Sequence, residues 1–153
     1  MWTKTRSLML SRILTTALTA VVLMLTFFIP YFADWYDGFS GAGGVFAGYS
    51  VFVPCCVILY ICEVFALAAM AALHVLLRNI SDDKVFIEQN TKCLRMISWA
   101  CMLAGAAFFV LGLWRAAMWV VAFCLIMFGL IMRVLKNVFE QAVEIKSEND
   151  YTI

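Results

Sequence analysis

The sequence predicts an all-α integral membrane protein, a four-helix bundle with both termini in the cytoplasm. Three observations lead to this fold class: a composition too apolar for a small soluble domain, four long apolar runs, and basic residues gathered on one side of those runs. Of the 153 residues, 65% are hydrophobic and 14% are charged, and the mean hydropathy is +0.96. Soluble domains carry about 25% charged residues. Lipid must therefore solvate much of the chain, and one membrane domain over residues 1–153 is expected.

Four apolar runs predict the transmembrane helices, at about residues 11–32, 51–77, 97–113 and 116–135. A helix rises about 1.5 Å per residue and needs about 20 residues to cross the hydrocarbon core. The third run is short, but Lys92–Met96 can extend it into the headgroups. Only Trp114 and Arg115 separate the last two runs, which predicts a tight hairpin. Pro30 fits an end or a kink of the first helix.

Lys and Arg residues set the predicted orientation. Ten of the 11 basic residues flank one side of the four runs: Lys4, Arg6, Arg12, Arg78, Lys84, Lys92, Arg95, Arg133, Lys136 and Lys146. Only Arg115 lies on the other side. Basic loops stay in the cytoplasm, so both termini and the loop between the second and third helices are expected there, in a cell membrane. The first loop, residues 33–50, has no basic residue and carries five glycines (Gly38, Gly41, Gly43, Gly44 and Gly48), which predicts a flexible outer linker.

Small residues predict where helices pack, because they let backbones approach closely within lipid. They recur on the second and third helices: Ala68, Ala72, Ala100, Ala104, Gly105 and Gly112. We therefore expect close packing between these two helices.

Glu63 lies at the middle of the second apolar run, near the bilayer midplane. A charged acid there costs about 2.5–3.5 kcal/mol on insertion scales and usually faces the interior. One reading is a proton- or cation-binding carboxyl in a small transporter or channel subunit. The other is a protonated side chain hydrogen-bonded to a neighbouring helix. Partners for the second reading are available on the first helix: Thr15, Thr16, Thr19 and Thr26.

The histidine and the cysteines indicate neither a catalytic nor a metal-binding site. His74 is the single histidine and cannot build a metal site alone, so it is expected to be an interfacial residue near the cytoplasmic end of its helix. The six cysteines form no CxxC pair. No nucleophile–base pair is visible, and the net charge of +1 gives no footprint for nucleic acid. We expect no enzyme activity, no cofactor, no metal and no direct nucleic-acid binding.

The inner loop and the C-terminal tail hold most of the polar residues. In the loop, Arg78, Phe86 and Arg95 are candidate contact residues, and a helical pattern from about Glu88 runs into the third helix. The fourth helix is expected to continue to about Ser147, with an apolar face and an acidic stripe. The candidate partner-docking residues of the tail are Phe139, Glu140, Val143, Glu144, Glu148, Tyr151, Thr152 and Ile153. The tail either docks a cytosolic protein or packs back over Val85 and Phe86.

Two segments resemble a known family. The stretch Leu76–Ser98 is similar to its block LLR-N-I … F-x-E-x-N … L-R-x-I-x-W, and NVFEQAVEIKSENDYTI is similar to its ending VF-x-x-G/A-x-x-(L/I)-x-x-E-x-D-(L/Y)-T-I. The family comprises small bacterial membrane proteins grouped as domain of unknown function 2975. In the family a Thr commonly follows the Phe and would cap the next helix, whereas this chain has Ile87. The resemblance implies four membrane helices and frequent pairing of the gene with a short helix-turn-helix regulator.

Two functions compete on these observations. The first is a membrane-anchored interaction or regulatory protein, with the lipid bilayer and a cytosolic protein, such as a small helix-turn-helix regulator, as partners. The second is a transporter or channel subunit centred on Glu63, which would require a homo-oligomer because four helices enclose little volume. Polar residues concentrate in the inner loop and the tail rather than inside the membrane, which favours the first.

Overall fold

The computed structural model describes residues 4–38 and 43–150, and all four of the helices in this part of the chain are long. They are α1 (Lys4–Gly38), α2 (Phe52–Ser81), α3 (Glu88–Leu111) and α4 (Ala117–Asp150), with no strand among the described residues. Each helix is long and apolar enough to cross a membrane. The all-α fold class and four helices capable of crossing a membrane are therefore confirmed.

Each helix extends beyond the apolar run that predicted it. α1 continues to Gly38, so Pro30 lies inside the helix and does not end it. α3 begins at Glu88, where the helical pattern of the loop predicted its start. α4 reaches Asp150, slightly beyond the predicted Ser147. A helix satisfies its own backbone hydrogen bonds, so it can pass from hydrocarbon into the headgroup layer without a break.

The connection between α3 and α4 is the predicted tight hairpin. It spans residues 112–116 and is closed by backbone hydrogen bonds. The Trp114 N–H donates to the Leu111 carbonyl at 3.0 Å, and the Met118 N–H donates to the Arg115 carbonyl at 2.9 Å. Because the turn is so short, α3 and α4 must lie side by side and antiparallel.

The helices pack in a row, each against its neighbours in sequence. α1 packs on α2, α2 on α3 and α3 on α4, while within the described ranges the backbones of helices that are not neighbours in sequence do not approach each other. α3 has the most buried apolar stretch, with 39% of its residues buried against 11% in both α1 and α4. The outer helices therefore present most of their apolar surface to lipid.

Small residues mediate two different interfaces. The predicted packing of α2 on α3 is present, with Ala72 and Ala104 both buried. The assignment of Gly105 and Gly112 to that interface was wrong, because both glycines face α4. A Cβ at Gly105 would lie 2.7 Å from Cγ1 of Ile126, and one at Gly112 would overlap the Trp119 ring. These glycines let α4 approach α3 closely.

The described part of the loop between α1 and α2, residues 43–51, docks on the hairpin and is not a flexible linker. The Phe46 N–H donates to the Leu113 carbonyl at 2.8 Å. Gly44 lies so close to the Leu113 carbonyl that a Cβ would be 2.2 Å from its oxygen. The Asp37 carboxylate accepts hydrogen bonds from the Val51 N–H and the Ser50 hydroxyl, both at 2.7 Å, which ties the end of α1 to the start of α2. Gly41 of the predicted linker lies outside the described residues.

Candidate functional site

The connection between α2 and α3, residues 82–87, is shaped by one buried amide. Asn90 is fully buried, and its Nδ2 donates to the carbonyls of Lys84 and Val85 at 2.8 and 2.7 Å. Its Oδ1 accepts from Nδ2 of Asn79 at 2.8 Å. Ile87 precedes α3 and makes no side-chain capping bond. The side chain of Asn90 fixes the conformation of the connection instead.

The first turns of the tail pack on this connection. The Phe139 ring lies 5.9 Å from the Phe86 ring and contacts the buried cluster that joins α2 to α3. Glu140 forms an ion pair with Arg95 at 3.5 Å and a second with Lys136. Of the two arrangements left open by the sequence, packing back over Phe86 is the one present for Phe139 and Glu140. We call the surface formed by residues 78–95 and 136–149 the basic-end surface.

The remaining candidate residues of the tail lie farther along α4. Val143 is half-buried, whereas Glu144 and Glu148 are exposed, and Ile145 is 67% exposed between them. Arg78 is exposed in the last turn of α2. Tyr151, Thr152 and Ile153 lie outside the described residues. The structure thus brings Phe86, Arg95, Phe139 and Glu140 together and leaves the acidic end of α4 exposed.

Glu63 is held at the interface of α1 and α2. Thr26, one of the four predicted partners, donates its hydroxyl proton to Oε1 of Glu63. The Tyr60 hydroxyl donates to the Thr26 carbonyl at 3.3 Å. The hydroxyls of the other three threonines, Thr15, Thr16 and Thr19, donate to carbonyls of their own helix. A groove of about 640 Å³ runs beside Glu63, and of the side chains that line it only Glu63 is acidic or basic.

His74 also joins α1 to α2. Its Nδ1 lies 2.9 Å from the Met70 carbonyl, which can only accept, so Nδ1 carries a proton. Its Nε2 lies 3.4 Å from the Thr16 hydroxyl. In the described part of the chain no group of three or more His, Cys, Asp or Glu side chains is placed to hold a metal ion. The proximity of Nε2 to the Thr16 hydroxyl gives α1 and α2 a second polar contact, besides that of Thr26 with Glu63.

Sequence reasoning did not identify Asn90, and it placed Arg115 in the hairpin without predicting its burial. Asn90 stands in the block that carries the family resemblance, and a polar amide at the start of an apolar helix was the signal that could have found it. Arg115 is 7% exposed in the α3–α4 hairpin, and its Nε has no hydrogen-bond partner among the described residues. Its one hydrogen bond runs from a guanidinium nitrogen to the Trp114 carbonyl at 3.4 Å. No sequence pattern distinguishes it from an exposed turn residue.

Comparison with known proteins places the chain in a family. The family model described as "Protein of unknown function (DUF2975)" matches residues 42–153. No curated protein and no solved structure matches the chain. The matched region contains α2, α3 and α4 with the whole basic-end surface, and it begins after α1. Since the match covers well over half of the chain, this membrane protein belongs to the DUF2975 family of proteins of unknown function.

Proposed function

We propose that the chain is a membrane-anchored interaction protein that acts in the cytoplasm through the exposed end of α4. The observation that carries this proposal is the continuity of α4. The helix passes the end of its apolar run at Leu135 and continues to Asp150, a further length of about 22 Å. Phe139 anchors it on Phe86 of the α2–α3 connection, and Glu140 pairs with Arg95 of α3. The helix end is therefore held in a fixed direction while its acidic residues stay accessible.

Charge supports a basic partner. Ten of the 11 basic residues flank the proposed cytoplasmic side, but Glu144 and Glu148 give the end of α4 an acidic stripe. The anionic inner leaflet repels such a stripe, so the helix end projects into the cytoplasm rather than lying on lipid. Acidic residues also steer a positively charged protein toward the surface. A small helix-turn-helix regulator, the partner class that the family resemblance implies, has this chemistry.

The test compares variants of the exposed stripe with a charge-matched control. In the tail variant, Glu144→Gln is combined with Glu148→Gln. In the control, Asp82→Asn is combined with Glu88→Gln, which removes two exposed charges at the same end of the molecule but on other elements. Each protein is purified in mild detergent, and co-eluting proteins are identified by mass spectrometry. We expect one basic cytosolic protein with the parent and the control and its loss from the tail variant. Equal recovery with the tail variant would contradict the proposal.

The groove beside Glu63 is the observation that favours a second candidate, a proton- or cation-coupled transporter or channel subunit. The groove gives the carboxyl a route to solvent or lipid along α1 and α2. A pathway needs further polar groups, however, and the lining of this groove is almost entirely apolar. Helices in a row also enclose no channel of their own, so this function would require a homo-oligomer. The interaction function is therefore the better supported of the two.

A further inference from the structure

A polar pocket lies between α3 and α4 at the basic end of the molecule. Its volume is about 220 Å³, and it is lined by Arg95, Ser98, Trp99, Arg133, Lys136 and Asn137. This volume is far above the roughly 10–15 Å³ needed to hold one water, so a polar group of several atoms can enter. We propose that the pocket binds a phosphate group, the phosphate of an anionic phospholipid headgroup.

The charges of the pocket favour an anion. Glu140 is the carboxylate that pairs with the lining cations, and it is shared between Lys136 and Arg95. Three cations against one carboxylate leave two positive charges uncompensated. The lining of the pocket itself contains three cations and no carboxylate. A bound phosphate would supply the missing negative charge.

The hydrogen-bonding groups of the pocket are donors. The Arg133 guanidinium carbon lies 5.6 Å from the centre of the Trp99 ring, and this aromatic contact restrains the guanidinium while its N–H groups stay able to donate. Oδ1 of Asn137 accepts from Lys136 at 3.4 Å, which leaves the amide NH₂ as a donor. The Ser98 hydroxyl is already used, because it donates to the Gly129 carbonyl at 2.7 Å and fastens α3 to α4 beside the pocket. The three cationic side chains and the Asn137 NH₂ therefore suit a phosphate and repel a metal cation.

The position of the pocket along the helices identifies the source of the phosphate. Arg133 and Lys136 flank Leu135, the last residue of the fourth apolar run, and Arg95 lies two residues before the third run. Trp99 is 49% exposed at the same level, as expected of an aromatic residue at the membrane interface. Headgroup phosphates lie at this depth, and basic pockets between transmembrane helices bind anionic headgroups. This site involves no protein partner, so it can be present or absent independently of the interaction function.

Native mass spectrometry of the full chain in neutral detergent tests the site. The protein is titrated with phosphatidylglycerol, with zwitterionic phosphatidylcholine, and with inorganic phosphate as the free source of the same group. The pocket variant combines Arg133→Gln with Lys136→Gln. The control combines Arg12→Gln with Arg78→Gln, two exposed arginines elsewhere at the same end of the molecule. We expect the pocket variant to bind phosphatidylglycerol about 30-fold more weakly than the control does.

The lipid preference of the parent, the pocket variant and the control decides the proposal. Preference for phosphatidylglycerol that is lost only in the pocket variant supports the lipid phosphate. If inorganic phosphate displaces the lipid from the parent and binds the pocket variant more weakly than it binds the parent, the result supports phosphate recognition, with a soluble ligand as the source of the phosphate. Equal binding of the two lipids, or equal loss in the control and the pocket variant, would overturn the proposal. Arg133→Lys keeps the charge and should retain most of the binding, which separates the site from a folding defect; loss as large as in the pocket variant would count against it.

Discussion

Asn90 determines the shape of the connection between α2 and α3 with a single side chain. Its amide satisfies two carbonyls of the connection and the Asn79 amide, all at 2.7–2.8 Å. Asn90→Ala deletes these three hydrogen bonds, each of which contributes about 0.5–1.5 kcal/mol to stability. We expect a clear fall in the thermal unfolding temperature in detergent. Gln89→Ala, an exposed neighbour with one 3.3 Å contact, should change it little. An unfolding temperature for Asn90→Ala equal to that of Gln89→Ala would show that the hydrogen bonds of Asn90 do not contribute to stability.

Glu63→Gln distinguishes a structural carboxyl from a coupling carboxyl. The glutamine keeps an oxygen that can accept the Thr26 hydroxyl proton, so we expect nearly unchanged thermal stability. Thr26→Val removes the donor and should destabilise by about 0.6–2 kcal/mol, the range for hydrogen bonds between transmembrane helices. Proton flux into vesicles provides the second measurement. If the parent conducts protons and Glu63→Gln abolishes this flux at normal expression, the transporter function is favoured. If Glu63→Gln leaves the flux unchanged, the transporter function centred on Glu63 is contradicted.

At the level of single residues, the sequence was informative where a polar group stood alone in an apolar run. Glu63 was recognisable because a carboxyl at the bilayer midplane needs a partner, and Thr26 was among the residues named for that role. Asn90 was not recognised, because its partner Asn79 is 11 positions away. Two such amides meet only after the chain has reversed direction, and helical periodicity carries no information about that reversal.

The close contact of α3 with α4 depends on glycine. A side chain at Gly105 would meet Ile126 and the Ala122 carbonyl. Gly105→Leu should therefore force the helices apart and destabilise by about 1–3 kcal/mol. The matched control is Ala106→Leu, whose position is exposed toward lipid and tolerates a larger side chain. Thermal unfolding in detergent measures both. Equal stability of the two variants would mean that Gly105 is not a packing position.

Phe139→Asp tests the docking of the tail on the inner loop. The substitution places a charge against Phe86 and the buried cluster of α2 and α3, and loss of a packed Phe costs about 3–5 kcal/mol. We expect trypsin to cleave faster after Lys84, in the connection that Phe139 covers. Ile145→Asp, at a site 67% exposed, should leave cleavage unchanged. Slow cleavage in Phe139→Asp would indicate that the tail does not cover the connection.

The existence of the helices could be predicted, but their partners could not. Apolar runs and the pattern from Glu88 gave α3 and the extension of α4 because helix periodicity is local. The choice between docking a partner and packing back was open for Phe139, since an amphipathic face records only that something apolar covers it. Gly105 and Gly112 were assigned to the wrong neighbour for the same reason: a small residue marks a close contact without identifying the helix it faces.

Orientation is a property of the whole molecule, and labelling with a membrane-impermeant maleimide in intact cells measures it. Gly48→Cys is suited to the outer loop, because a Cβ there meets no atom within 4 Å. Asp82→Cys and Asn149→Cys report on the inner loop and on the tail, where both residues are exposed. The distribution of basic residues predicts labelling of Gly48→Cys alone, with the parent chain as the control. Labelling of Asp82→Cys before permeabilisation would contradict the predicted orientation.

Because, within the described ranges, the backbone of each helix approaches only the helices beside it in sequence, the chain can assemble during synthesis one helix at a time. Each helix that enters the membrane finds its partner already inserted, and no early helix must wait for the last one to complete its surface. The loops to be closed are short, so little conformational entropy is lost at each step. The α1–α2 and α3–α4 interfaces are formed by different helices. Damage at α1–α2 and at α3–α4 should therefore add in free energy, as in a linear array of repeats.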